Sequence, residues 1–284
     1  MGSIERMGSP LLRLQRLAAY LIWTLPLMPV QALGLLLHRR WTATFPRFYH
    51  RQCCRILGLR VRQIGRPTAD RPVLFAANHV SYLDITVFGS LLPASFIAKS
   101  EVARWPLFGW LAQLQRSVFV DRRVRSTARQ RDGIARRLAA GDALILFPEG
   151  TSGDGNRILP FKSALFSVAD AVPGVMVQPV SIAYTRLDGM PIGRALRPLF
   201  AWYGTMTMAS HLWRVLGLGT VEIAVEFHPP ATLAACGSRK ALARYCEEHV
   251  AAGLANALSG RRGAAAGPPP LAAQPAPSAA PALG

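Results

Sequence analysis

The apolar positions of this chain fall into three regimes. From Leu17 to Leu37, 21 residues pass without a charge, about 31 Å as a helix and enough to reach across a bilayer core. Pro26, Pro29 and Gly34 interrupt the run, with Arg13 and Arg16 before it and Arg39 and Arg40 after it. Basic residues at both ends give little orientation signal, and they suit a kinked, re-entrant or surface-lying helix as well as a span. From Val73 the pattern changes to short apolar runs separated by helix-like stretches. Past Leu258 the periodicity ends, and residues 259–284, rich in Ala, Pro and Gly, are expected to be disordered.

In the second regime Val73–Ala77 (VLFAA), Ser95–Ala98, Ser117–Val120, Ala143–Phe147 and Val175–Ala183 have the length and apolarity of buried strands. Val124–Ala140 predicts a helix with Val124, Ala128, Ile134 and Leu138 on one face, Arg136 and Arg137 in its last turn and Gly141 beyond it. Glu101–Leu114, carrying Pro106 and Gly109, is mixed, and Phe161–Ala169 has helical character. Val221–Phe227 alternates with period two and so presents one polar face. Ser238–Leu258 predicts a closing helix with Ser238 as N-cap and Gly260 beyond its end. This alternation predicts an α/β fold, a largely parallel central sheet flanked by helices. Residues 61–258 form that domain, 1–60 an N-terminal membrane-anchoring helical segment, and 259–284 the tail.

The candidate chemistry sits at two strand ends. Asn78-His79 follows the first strand, and Ser81-Tyr-Leu-Asp84 then offers a Ser-x-x-Asp helix start. Five helical residues at about 100° each would set His79 and Asp84 roughly 140° apart. The two meet only if His79 precedes the helix and folds back over its first turn. The same pattern also suits a plain helix cap beside a loop histidine. Pro148-Glu149-Gly150-Thr151 follows another strand. In a parallel sheet both segments lie at the carboxyl edge, where ligands bind. Lys99, Arg116, Arg122, Arg123 and Lys162 supply positive charge, or form a solvated basic face.

Formal charge is +18, nearly all of it arginine, since Lys99, Lys162 and Lys240 are the only lysines. That balance favours anionic lipid, phosphorylated small molecules or nucleic acid. Hydrophobic residues make up 51% of the chain, high for a freely soluble protein. Cys53, Cys54, Cys236 and Cys246 form neither a CxxC nor a zinc spacing, which fits a reducing compartment or its membrane face. The chain carries no G-x-S-x-G, G-x4-G-K-[ST], H-E-x-x-H or G-x-G-x-x-G signature, so hydrolase, P-loop, zincin and Rossmann chemistries lack their motifs.

Asn78-His79-Val-Ser-Tyr-Leu-Asp84 resembles the NHxxxxD motif of the glycerolipid acyltransferases, specifically the 1-acylglycerol-3-phosphate acyltransferases. Ala98-Lys99-Ser-Glu101 with Val120-Asp121-Arg122 is similar to the family's second motif, Phe147-Pro148-Glu149-Gly150-Thr151 to its FPEGT motif, and Val177-Gln-Pro179-Val180 to its last. The resemblance implies that His79 is a general base and Asp84 its orienting partner. It assigns Lys99 and Arg122 to an acceptor phosphate and Glu149, Gly150, Thr151 and Lys162 to acceptor binding. It implies transfer from an acyl-acyl carrier protein or acyl-coenzyme A thioester to the sn-2 hydroxyl of 1-acylglycerol-3-phosphate, giving phosphatidic acid. No metal, other cofactor or nucleic acid is implied, and the expected place is the cytoplasmic face of the inner membrane. One departure stands out: Ser152 follows the Glu-Gly-Thr where the family often has arginine, and Asp154 sits badly with a dianionic acceptor. A non-phosphate acceptor such as lyso-ornithine lipid is therefore the alternative. The stretches around Trp202 and His211 either shape that choice or pack against the membrane. A non-catalytic basic module on anionic membrane or nucleic acid is the alternative from a different class.

Overall fold

The computed structural model describes residues 8–120 and 127–260. The expected tail beyond Gly260, the start of the helix expected at Val124, and Arg122 and Arg123 lie outside the described residues. The chain runs α1 Pro10–Leu36, α2 Phe45–Leu57, β1 Leu59–Ile64, β2 Val73–Ala77, α3 Leu83–Leu91, β3 Ser95–Lys99, α4 Phe108–Leu114, β4 Val118–Val120, α5 Thr127–Ala139 and β5 Ala143–Leu146. It continues with α6 Val168–Ala171, β6 Met176–Leu187, β7 Met190–Pro191, α7 Met208–Leu216, β8 Val221–Phe227, α8 Leu233–Cys236 and α9 Arg239–Ser259.

One sheet carries the strands in the order β1-β8-β6-β2-β5-β3-β4, with β7 pairing β6. Strands β2 to β6 all run parallel, and β8 reverses against β6. The sheet is thus largely parallel, as the pattern predicts, with an antiparallel seam. Strand β2 lies at the centre, and its alternate side chains feed two cores. Val73, Phe75 and Ala77 face a core shared with Phe88 of α3, Cys54 and Leu57 of α2 and Leu216 of α7. Leu74 and Ala76 face the other, with Leu138 of α5 and Leu242, Cys246 and Val250 of α9. Both faces of β2 are dry, which is why it is a continuous apolar run with no alternation.

Three elements depart from expectation. Strand β1 (LRVRQI) is not predicted by the apolar pattern because Arg60, Arg62 and Gln63 are exposed along an edge strand, where charge blocks pairing with other chains. Strand β6 runs to Leu187 and not Ala183, because β8 pairs it through Leu187 across an irregularity at Tyr184 and Arg186. The stretch from Phe161 to Ala169 breaks into a 3-10 turn, Ser163–Phe166, and the short α6.

Helix α1 stays continuous through Pro26 and Pro29, although each lacks the N–H that would bond the carbonyl four residues earlier. Its polarity is inverted. The buried positions are Thr24, Gln31 and Gly34. Leu14, Ile22, Leu25, Val30, Leu33 and Leu36 are exposed. Gln31 Nε2 donates to the carbonyls of Thr42 and Leu114 at 3.0 Å each, and Thr24 Oγ1 lies 3.0 Å from Tyr49 Oη. Polar groups therefore fasten α1 to the domain while its apolar face points outward. The helix is long and apolar enough to cross a membrane. Arg16 ties its N-terminal part to the end of α7, donating to the carbonyls of Leu218 at 2.6 Å and Gly219 at 3.1 Å.

Candidate active site

Neighbouring strands in matched register build the site. Ala76 of β2 pairs with Leu146 of β5, so three residues further on each strand His79 and Glu149 arrive side by side at the carboxyl edge. Asn78 fixes the exit of the first strand. Its Nδ2 donates to Ile182 O at 3.0 Å, and its Oδ1 accepts from Ile182 N at 2.8 Å. The asparagine thus acts as a strand residue toward β6 and frees the backbone to turn.

After the turn, His79 folds back over the start of α3. Its Nδ1 lies 2.8 Å from Asp84 Oδ2. The same oxygen accepts from the backbone N–H of Val80 at 2.7 Å and Ser81 at 2.9 Å. Tyr184 Oη donates to Asp84 Oδ1 at 2.8 Å. Asp84 is fully buried, whereas the His79 side chain keeps 19% of its surface exposed. Asp84 therefore both closes the helix start and orients the imidazole, leaving Nε2 as the nitrogen that faces away from the carboxylate. Phe147 stacks on the imidazole, with ring centroids 4.1 Å apart.

Glu149 is only 2% exposed. Its Oε1 accepts from His79 N at 3.0 Å, while Gly153 N donates to His79 O at 2.9 Å. The loop after β5 therefore grips the backbone of His79 from both sides. Burial drives the Glu149 carboxyl up to about 8, against the N–H groups of His79 and Leu159 that favour its ionised form; the negative charges of Asp84 and Glu247 act in the same direction as burial. The resemblance assigns this residue to the acceptor; the fold sets it beneath the histidine, facing inward.

The folded chain therefore holds the Glu149 proton more tightly than the unfolded chain. The resulting stabilisation is complete below about pH 4.5 and disappears as pH rises through about 8. Glu149→Gln keeps an acceptor for His79 N and has no proton to lose. Thermal unfolding at a series of pH values across that window should show a smaller decline for the variant than for the unsubstituted chain. Equal declines would remove Glu149 from the account.

Lys99, Gly150, Thr151 and Lys162 belong to the same edge of the sheet, whereas Arg116 pairs with Asp142 just ahead of β5, at the opposite edge. Lys99 ends β3, and β3 neighbours β5. Gly150 has φ +70°, and a Cβ there would lie 3.0 Å from Lys162 Nζ, so glycine serves both the turn and the approach of the lysine. Thr151 and Lys162 are exposed. Arg122 lies outside the described residues. Ser152, where the family often has arginine, donates its hydroxyl to the carbonyl of Trp202, whose N–H donates to Val80 O at 3.0 Å. It is a loop fastener.

Comparison with known proteins gives this geometry its context. A family model described as Acyltransferase matches residues 58–183. A protein of Brucella abortus named "Lyso-ornithine lipid O-acyltransferase" is 47% identical over 251 residues, 86% of this chain and 94% of that one. The chain belongs to the glycerolipid acyltransferase family. A Neisseria gonorrhoeae member of this family, named "1-acyl-sn-glycerol-3-phosphate acyltransferase", is 36% identical and covers 68% of this chain and 74% of its own. The crystal structure of "the 1-acyl-sn-glycerophosphate (LPA) acyltransferase, PlsC, from Thermotoga maritima" shares the fold, with a TM-score of 0.67 at 23% identity over 89% of this chain and 97% of that one. As a glycerolipid acyltransferase the chain acts on lysolipids. Two neighbours of the His79–Asp84 pair are not apparent from the sequence. Tyr184 sits 100 residues from Asp84, with no local signal of the contact, while Phe147 lay within a recognised block and only its stacking was hidden.

Proposed function

We propose that this chain is a membrane-bound O-acyltransferase whose acceptor is lyso-ornithine lipid. His79 Nε2 takes the proton of the acceptor hydroxyl as its oxygen attacks the carbonyl of an acyl thioester. Asp84 holds the Nδ1–H tautomer and stabilises the imidazolium. The tetrahedral intermediate collapses, the C–S bond breaks, and the leaving thiolate takes the proton back from the imidazolium. No protein nucleophile is needed, because the thioester is already activated. Lys99, Lys162 and, by its place in the second motif, Arg122 provide positive charge for the anionic donor, a coenzyme A or acyl carrier protein thioester. Gly150 and Thr151 form the rim next to the acceptor. The outward apolar face of α1 enters the bilayer where lysolipid and product reside, with the domain on the cytoplasmic face of the inner membrane.

Support for the acceptor comes chiefly from the 47% identity to the Brucella abortus lyso-ornithine lipid O-acyltransferase along nearly its whole length. The Neisseria gonorrhoeae relative, with the phosphate acceptor in its name, is 36% identical over a smaller share. The reading is tested by giving the purified chain lyso-ornithine lipid and lysophosphatidic acid side by side with the same thioester. Transfer to the ornithine acceptor should exceed transfer to the phosphate acceptor at least about tenfold in kcat/KM, a difference of roughly 1.4 kcal/mol. Preference for lysophosphatidic acid would reverse the assignment.

A further inference from the structure

The loop that grips His79 continues into a surface pocket. This pocket of about 400 Å³ is lined by Asp154, Asn156, Arg157, Arg194 and Arg197, a volume in the usual range for small-molecule sites. It is fastened to the catalytic rim at several points. Gly153 N is bonded to His79 O at 2.9 Å. Gly155, at φ +78°, lies so close to Val80 that a Cβ would come within 3.2 Å of its Cγ1. Across the pocket Arg197 Nη1 donates to Asn156 Oδ1 at 3.0 Å. A group seated here is held by the same loop that positions the imidazole.

The walls carry both signs. Asp154 accepts from Asn156 N at 3.0 Å and Asn156 Nδ2 at 3.1 Å. Partial burial acts to raise its carboxyl, but these donors and the charge of Arg157 outweigh it and hold the group below the ordinary carboxylate range. Opposite stand Arg194 and Arg197. Arg197 lines the pocket and its Nε is buried without a hydrogen-bond partner. Burial, and then the charge of Arg194, lower the Arg197 pKa from its ordinary value. Three arginines line the pocket against one carboxylate, so a dianionic phosphate monoester would suit the arginines but would leave Asp154 facing a like charge. A zwitterion would satisfy both walls.

We propose that this pocket selects the acceptor by its headgroup, seating a carboxylate against Arg194 and Arg197 and an ammonium against Asp154. The proposal rests on the lyso-ornithine reading above and supplies its physical basis. Ornithine held through its α-amide keeps one carboxylate and one side-chain ammonium, and it is this pair that the pocket reads. Selectivity then arises as much from repulsion of the wrong charge as from attraction of the right one.

The test uses the purified full-length chain with three acceptors: lyso-ornithine lipid, its counterpart built on norvaline, which lacks only the ammonium, and lysophosphatidic acid. The unsubstituted chain should show a KM about tenfold higher for the norvaline acceptor than for the ornithine one. Asp154→Asn should erase that gap by raising KM for the ornithine acceptor, keep kcat within about twofold, and lower KM for lysophosphatidic acid. Arg197→Gln should raise KM for both amino-acid acceptors. Equal KM values for ornithine and norvaline acceptors in the unsubstituted chain would overturn the pocket while leaving the acceptor reading intact, and that comparison depends on no variant folding. A gap that persists in Asp154→Asn would likewise overturn the ammonium assignment. No transfer to the ornithine acceptor by the unsubstituted chain would overturn both.

Discussion

His79→Ala should lower kcat for acyl transfer by about 10²–10⁴-fold while the chain folds normally. The size follows from the proposed role: without a base, the acceptor hydroxyl has no positioned group to take its proton. The intact fold follows from the contacts. Removing the imidazole costs its stacking on Phe147 and one bond to Asp84. The backbone of residue 79 keeps its bonds to Glu149 and Gly153, and Asp84 keeps three other donors. Turnover should therefore fall by that factor at near-constant unfolding temperature and unchanged circular dichroism. A variant that transfers acyl groups within tenfold of the unsubstituted chain would remove the histidine from the mechanism. One that unfolds would show that the ring serves the fold.

Much of this site was legible because its signals are local. Val73–Ala77 and Val221–Phe227 appear as strands with the bounds their patterns predict, since a run buried on both faces and a strict alternation each have one simple reading. His79 and Asp84 meet as the sequence allows, because the carboxylate that accepts from the N–H groups of Val80 and Ser81, in the turn just before α3, is thereby brought back to the ring. What stayed hidden lies across the sheet. Asn78 gives no hint in its own neighbourhood that both ends of its amide pair with Ile182, and Tyr184 none that its hydroxyl closes on Asp84. The inward direction of Glu149 is hidden for a related reason: only the register of Ala76 with Leu146 reveals that it sits under the histidine. The inverted polarity of α1 was equally silent, because Thr24 and Gln31 are ordinary interruptions in an apolar run until their partners on α2 and around Thr42 and Leu114 are in view.

In the proposed mechanism Asp84 serves both catalysis and architecture, and two substitutions should pull them apart. Asp84→Ala leaves the N–H groups of Val80 and Ser81 and the Tyr184 hydroxyl without their acceptor in a buried place, and releases the partly exposed His79 ring. At roughly 1–3 kcal/mol for each stranded group, the loss approaches the 5–15 kcal/mol that typically holds a domain together, so this variant should be recovered unfolded or aggregated. Asp84→Asn is nearly isosteric. Its carbonyl oxygen can take the place of Oδ2 and accept from His79, Val80 and Ser81, while its amide donates to Tyr184 Oη, an oxygen able to accept. The fold should survive with an unfolding temperature within several degrees. The rate should not, because a neutral amide no longer stabilises the imidazolium that forms as the acceptor loses its proton, and a loss of about 10²–10⁴-fold in kcat is expected. Since the two residues act as one unit, His79→Ala combined with Asp84→Asn should be scarcely slower than His79→Ala alone. Losses that multiply instead would mean that the carboxylate acts on the reaction by a route that does not pass through the imidazole.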